Sequence, residues 1–274
     1  MPTLEQSVAQ LQQTNAELVS ASSELTNEVA SKISGINARV SSAIQQLTYS
    51  VTHQFDAHIV REFHISDAHS DDSETNNIRT ITEALRRTPA TGICIVRCSG
   101  NVSIDNAIYV TNKSLHIIFS NNIDSLIQNT ETAGFRQSGR SEILIVKGRI
   151  ITAMGTGTDV SASFFKNHNM TTPTLMIYES DVELGDCNIA TLGHSANALI
   201  SFSVSRTTLK RRVGSTRNAL LLHIATGCAQ ISADTITNET GTPFVALFGG
   251  ILSATNSAPY NVISNIKFKQ ETSA

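Results

Sequence analysis

The chain has 274 residues, 40% of them hydrophobic and 16% charged, with a formal net charge of −3. That length leaves room for a buried core, and the charge excludes a global field drawing the chain to nucleic acid or an anionic membrane. No apolar run approaches the roughly 18 residues of a membrane span, and MPTLEQSVAQLQQ lacks the basic start and apolar stretch of a signal peptide, so synthesis in a cytoplasm without membrane insertion is expected.

The first quarter is patterned as a long helix. Leu4, Leu11, Leu18 and Leu25 occupy heptad d positions, with Val8, Asn15, Ser22 and Val29 at a. Asn15 in the a layer is a device that fixes register and strand number at some cost in stability. After Val29 the apolar positions Ile33, Ile36, Val40, Ile44, Leu47, Val51, Phe55, Ile59 and Phe63 follow four-three-four spacings. An eleven-residue pattern of this kind relaxes the supercoil toward a weak right-handed twist. Gly35 costs only about 1 kcal/mol of helix propensity, too little to break a packed helix. The spacing predicts one helix from 4 to 63 within a coiled-coil stalk and attachment segment over 1–66. Its oligomerisation seam is Leu4, Val8, Leu11, Asn15, Leu18, Leu25, Val29, Ile36, Val40, Leu47 and Val51. A thin apolar stripe with polar flanks requires other helices, and no second segment of similar length exists to provide one within the chain.

Residues 67–76 read as a polar linker. His53, His58, His64 and His69 cluster around it without an HxH or HxxxH pair, so no metal site is expected. Asn76 and Asn77 offer helix caps ahead of IRTITEALRR, where Ile78, Ile81 and Leu85 share a face, and Pro89 and Gly92 end the helix. From Ile93 onward, short strand-like runs alternate with turns: ICIVRC, NVSI, AIYV, SLHIIF, EILIVKGRIITA, TLMIY, DVEL, ALISFSV, ALLLHIA, FVALFGGIL and NVISNIKF. The later runs begin at Leu175, Ala198, Ala219 and Phe244, a spacing of roughly 20 to 25 residues that suits one solenoid coil each. The body is therefore placed at 77–274, with the helix covering its first coil. Cys94, Cys98, Cys187 and Cys228 form no CxxC pair or zinc-type spacing, and are expected as buried free thiols.

The run ITEALRRTPATGICIVRCSGNVSIDNAIYVTNKSLHIIFSNN resembles the opening of pectate-lyase-like right-handed β-helix domains. Those domains begin with an amphipathic capping helix, a Pro/Gly break, a first buried strand and an N-K-S-aliphatic second coil. The stalk resembles the N-terminal coiled coils of tailed-bacteriophage fibre and tailspike proteins, whose β-helices are typically trimeric. Val at a and Leu at d, taken alone, favour two strands; the resemblance implies three. It implies a mainly β protein: a trimeric α-helical coiled coil followed by a parallel right-handed β-helix. In function it implies a virion structural protein, a homotrimeric tail appendage. Other tail, collar or baseplate proteins and a host surface glycan would be its partners. The alternatives are a polysaccharide depolymerase and a purely architectural collar, head or baseplate fibre.

Catalytic candidates are few. Glu179, Asp181 and Glu183 alternate along one strand face, and carboxylates two apart on a strand lie roughly 6.5 to 7 Å apart, within the loose range of glycosidase pairs. Asp105, Asp124, Asp159 and Asp234 are scattered. With no Trp and four Tyr, the chain has little aromatic surface on which a sugar ring could stack, so a non-enzymatic body is expected. Phe164, Phe165, Phe244 and Phe248 suit core or subunit contacts. Lys210, Arg211, Arg212 and Arg217 form the one basic cluster, suited to the phosphates of lipopolysaccharide. No GxSxG, P-loop, HExxH or dinucleotide fingerprint occurs, so no cofactor is expected.

Overall fold

The computed structural model describes residues 3–57 (backbone alone from 52), 60–71, 76–155, 162–167, 172–193, 199–251 and 261–266. The chain divides into two compact units, Met1–Phe55 and Asp56–Ala274.

The first unit is one helix, α1 (Leu4–Ala57). It opens on a capping box: the Gln6 amide N–H donates to Thr3 Oγ1 at 3.4 Å, and Gln6 Oε1 accepts from the Thr3 N–H at 3.0 Å. The helix runs through Gly35 unbroken. Within a single chain its apolar stripe is bare, from Leu4 at 84% exposed to Val51 at 43%.

The helix does not reach residue 63 as its spacing predicted, and the stalk does not extend to 66. Val60–Ile65 is instead a strand, β1, with Phe63 and Ile65 buried in the body. Ile59 lies outside the described residues. Phe63 satisfies a helical i+4 spacing from Ile59 and a strand i+2 spacing to Ile65, so local pattern is ambiguous. Pairing with the next coil decides it. Linker residues up to Asp71 turn back toward β2 (Asn77–Ile78), which pairs with β1. Asn76 and Asn77 therefore cap no helix. The N-cap of α2 (Ile81–Arg87) is Thr80, whose Oγ1 accepts from the Glu83 N–H at 3.2 Å. Asp71 in turn accepts from the backbone N–H groups of Arg79 and Thr80 at 2.7 and 2.9 Å, holding the entry to the helix.

The second unit is a parallel β-solenoid. Its first full coil contains β3 (Ile93–Cys98), β4 (Val102–Ile104) and β5 (Ala107–Thr111), one strand on each of three faces. The second repeats this with β6 (Ser114–Phe119), β7 (Ser125–Gln128) and β8 (Gly134–Ser138). The third has β9 (Glu142–Val146), β10 (Arg149–Ile151) and β11 (Ser163–Asn167), and the fourth β12 (Thr174–Tyr178), β13 (Asp181–Leu184) and β14 (Asn188–Leu192). Then β15 (Leu199–Arg211) crosses the first two faces as one bent strand, followed by β16 (Leu222–Ile224) on the third. Next come β17 (Cys228–Glu239), a 3-10 turn at Phe244–Leu247, β18 (Phe248–Gly249) and β19 (Val262–Ser264).

Strands on the first face begin at residues 93, 114, 142, 174, 199, 228 and 262, so coils run from 21 to 34 residues rather than 20 to 25. The narrower figure mixed faces: Leu175 and Leu199 belong to the first face, whereas Leu222 and Phe248 belong to the third. Several strands also fell outside the predicted runs, including β7, β8, β11, β14 and β17. Gly, Gln, Ser, Asn and Thr dilute their apolar alternation.

Register explains the core. Cys94, Leu115, Ile143, Leu175, Phe202 and Ile231 lie over one another from coil to coil, and each is buried. On the third face Phe135 and Phe165 are paired in register and stack at 5.2 Å with 7° between their planes. Phe164 tilts against both. The α2 side chains Ile81, Ala84 and Leu85 join the same core, so the helix covers the first coil as expected. Lys113 ties it there, with its ammonium donating to the Leu85 and Thr88 carbonyls at 2.6 and 2.5 Å.

The aromatic stack depends on Gly134, which has φ of +119°. A Cβ there would lie 2.3 Å from the Phe164 carbonyl oxygen. Gly134→Ala is expected to lower unfolding free energy by at least about 2 kcal/mol. Urea denaturation checks this; an unchanged midpoint would contradict the stacking described.

Candidate functional site

The three carboxylates predicted on one strand face are separated by the corner between two faces. Asp181 and Glu183 lie on β13, but Glu179 precedes it at φ 52°. Its stacked neighbours share the left-handed conformation: Lys147 (φ 63°), Arg206 (φ 49°) and Thr235 (φ 52°). Each follows the in-register row Val146–Tyr178–Ser205–Asp234, so the solenoid turns at the same point in four successive coils. Such residues cost of order 1 to 3 kcal/mol each, and the ladder overrides that: the Lys147 and Glu179 N–H groups bond the next coil's carbonyls at 2.9 and 3.1 Å.

Two of the three acids are ion-paired between coils. Glu179 accepts from Arg206 at 3.1 Å, and that guanidinium also lies 5.4 Å from the centre of the Tyr178 ring. Glu183 pairs with Arg149 of β10. These pairs pin adjacent rungs and occupy the carboxylates on the solenoid wall. A cleft of about 280 Å³ beside α2 is lined by Asp67, Arg79, Asn101, Asp105 and Asn106. It belongs to the first coil, three rungs from β13.

Lys210, Arg211 and Arg212 of the basic cluster each have a partner of their own. Lys210 lies 3.7 Å from Glu239 of the following coil. Arg211 takes the inward parity of Leu184, its register partner, and donates to the Ala219 carbonyl at 2.8 Å. Burial pulls its pKa below the ordinary arginine value. Arg212 donates to the Thr152 carbonyl at 3.1 Å, and the Arg217 backbone N–H bonds Asp186 at 2.8 Å. At least two of the four cations brace the corner after β15 rather than facing solvent together.

Asp186, which the sequence pattern did not single out, organises this corner. It is 4% exposed and accepts from the N–H groups of Thr216 and Arg217, the Ser215 hydroxyl and, through its other oxygen, the Gly155 N–H. Its only sequence signal is its place in Leu184–Gly185–Asp186–Cys187, a turn signature directly after a strand.

Asp105 and Asp124 serve turns, accepting from Asn129 and Asn121. Asp234 accepts from Ser205 and Thr235. Asp159 lies outside the described residues. Of the histidines, the side chain of His53 and all of His58 also lie outside them. His64 approaches Glu62 at 3.7 Å, and a His69 ring nitrogen lies 3.1 Å from the His64 carbonyl. Among the described residues no three His, Cys, Asp or Glu side chains converge as metal ligands.

Cys94, Cys98 and Cys187 are buried free thiols, as expected, whereas Cys228 is exposed on the outer side of β17. Burial pushes the Cys94 thiol up to about 11 and Cys98 up to about 12. Phe164, Phe165 and Phe248 lie in the core, and Phe244 packs on it partly exposed.

Among known protein families, curated proteins and solved structures, none matches the chain.

Burial works to raise the Asp186 pKa, but the Arg217, Thr216, Ser215 and Gly155 donors outweigh it and hold the carboxyl below its usual value. A depressed folded-state pKa gives stability that is present above the unfolded value of about 3.9 and lost as pH falls through the folded one. Asp186→Ala, leaving several donors orphaned, is expected to cost about 2 to 4 kcal/mol at pH 7. The variant's stability is also expected to fall less steeply than the native chain's between pH 5 and 3. Urea midpoints across that range measure both; parallel curves would remove Asp186 from the role assigned to it.

Proposed function

We propose that this chain is a self-associating fibre protein, a homotrimeric virion tail appendage. In this reading α1 joins three copies and attaches them to the particle. The solenoid, a right-handed β-helix, meets the host surface or anchors a second fibre. One observation carries the reading: α1 runs 54 residues without a break and keeps its apolar stripe from Leu4 to Val51 exposed within one chain. An isolated helix draws little stability from propensity alone and relies on packing of its apolar face. Copies of the same helix supply complementary a and d layers up to Val29 and matching eleven-residue layers beyond it.

Support also comes from the order of parts, an exposed-stripe helix leading into a capped parallel solenoid. The solenoid wall carries Glu179 and Glu183 as coil-to-coil ion pairs, a structural use that fits a rigid binding or anchoring body.

Sedimentation velocity of the full chain is expected to give three times the 29.5 kDa subunit mass; a monomer at micromolar concentration overturns the reading. Asn15→Val is expected to raise the thermal midpoint of the oligomer while allowing more than one association state. Sedimentation of the variant checks this, and a single unchanged species of lower stability would remove Asn15 from the a layer. The particle assignment is tested by antibody labelling of purified virions, where label at the tail supports it and its absence from particles opposes it.

A further inference from the structure

The outer side of the first solenoid face carries apolar residues that the core does not use. On the outward parity, Ile95, Leu144 and Met176 fall in one register column, with His116 between Ile95 and Leu144. Ile118, Val146 and Tyr178 fall in the adjacent one. All six are half-buried, alternating with fully buried inward neighbours. Parallel strands apolar on both faces are ordinarily covered on both.

The patch is bounded. Beyond β12 the same columns continue as Ser203 and Ser232, and as Ser205 and Asp234. Before β3 they continue as Glu62, and as His64 ahead of Arg97. An apolar centre with a polar rim is the anatomy of a protein contact.

We propose that this surface is a homotypic contact at which the solenoids of associated copies meet. This rests on the self-association proposed above and names the surface of the body that takes part. Two observations favour a second copy over an unrelated partner. The first is charge. A surface meeting its own copy places like residues near one another, so an uncompensated rim charge would repel. Here two rim acids already hold guanidinium partners within the chain, Glu62 with Arg97 at 2.7 Å and Glu179 with Arg206 at 3.1 Å. An acidic partner would find both of these guanidiniums already engaged.

The second is area. Four rungs about 4.8 Å apart and strands rising about 3.3 Å per residue give a patch of about 300 Å². That is well below the roughly 800 Å² per partner of a stable independent complex. The patch suits bodies already tethered together, for which effective concentrations reach the millimolar range, and the chain bears in α1 a helix suited to tether them. When copies are related by rotation about an axis along the solenoid, equal rungs lie at equal height. Leu144 then faces Leu144, and Met176 faces Met176.

The test places cysteines in the full chain after Cys228→Ser removes the exposed native thiol. Met176→Cys and Leu144→Cys probe the patch, and Tyr109→Cys, 61% exposed on the third face, serves as the control. A short bifunctional maleimide is expected to link subunits through either patch position about ten-fold more than through the control, as proximity on a shared axis requires. Circular dichroism confirms folding of each variant. If the chain sediments as an oligomer but both patch thiols couple no better than Tyr109→Cys, the homotypic contact is wrong while self-association stands. If the chain sediments as a monomer, self-association itself is wrong, and the contact falls with it.

Discussion

Parallel, in-register stacking of one coil on the next is the constraint on which the body depends. Each short strand has too few residues to bury a core alone, so its inward side chains are dry only when the neighbouring coils present the same parity. Val96, Ile117, Ile145, Ile177 and Val204 illustrate this: they follow one another in register, and each is almost wholly buried. A one-residue slip in any rung would turn those aliphatics outward and draw Arg97, Glu142 or Ser203 in.

That constraint explains the treatment of polar groups. Face-to-face connections vary in length, and buried amides and hydroxyls absorb the variation. Gln128 donates to the Ala133 carbonyl and accepts from the Ala153 N–H, bridging a turn to the following coil. Gln137, on inward parity, donates to the Thr174 carbonyl. Thr152 Oγ1 accepts from the Gly185 N–H. Asp186 serves more donors than any of these, and its charge is tolerated in a buried site because each bond is charge-assisted. Outside the core, the ion pairs Glu62–Arg97, Arg149–Glu183, Glu179–Arg206 and Lys210–Glu239 repeat the rule by joining adjacent rungs, so each of these also acts as a register lock.

The two units meet the same physical problem differently. The solenoid covers its inward face by stacking on itself and its first coil by α2. The α1 helix has no such recourse: its stripe is exposed along its whole described length within one chain. Burying each aliphatic side chain contributes about 1.5 to 3 kcal/mol, so the repeated stripe represents a large driving force toward association.

Strong local periodicity was legible in the sequence. The leucine and valine spacing marks α1, and ICIVRC, SLHIIF, TLMIY and DVEL coincide with β3, β6, β12 and β13, because β-branched and aliphatic alternation leaves one burial pattern available. The acidic trio was legible as residues but not as an arrangement, since nothing local reveals that Glu179 sits at a corner opposite Arg206, 27 positions away. Tertiary structure alone decided the rest. It ended the helix at Ala57 and made Val60–Ile65 a strand, because Phe63 and Ile65 bury against Val96 and Cys98 only in that form. It also made strands of Gly134–Ser138 and Asn188–Leu192, whose polar residues satisfy strand pairing only when a coil lies on either side. A period of two or four can be read within a few residues; a partner about thirty residues away can be known only once the coil has closed.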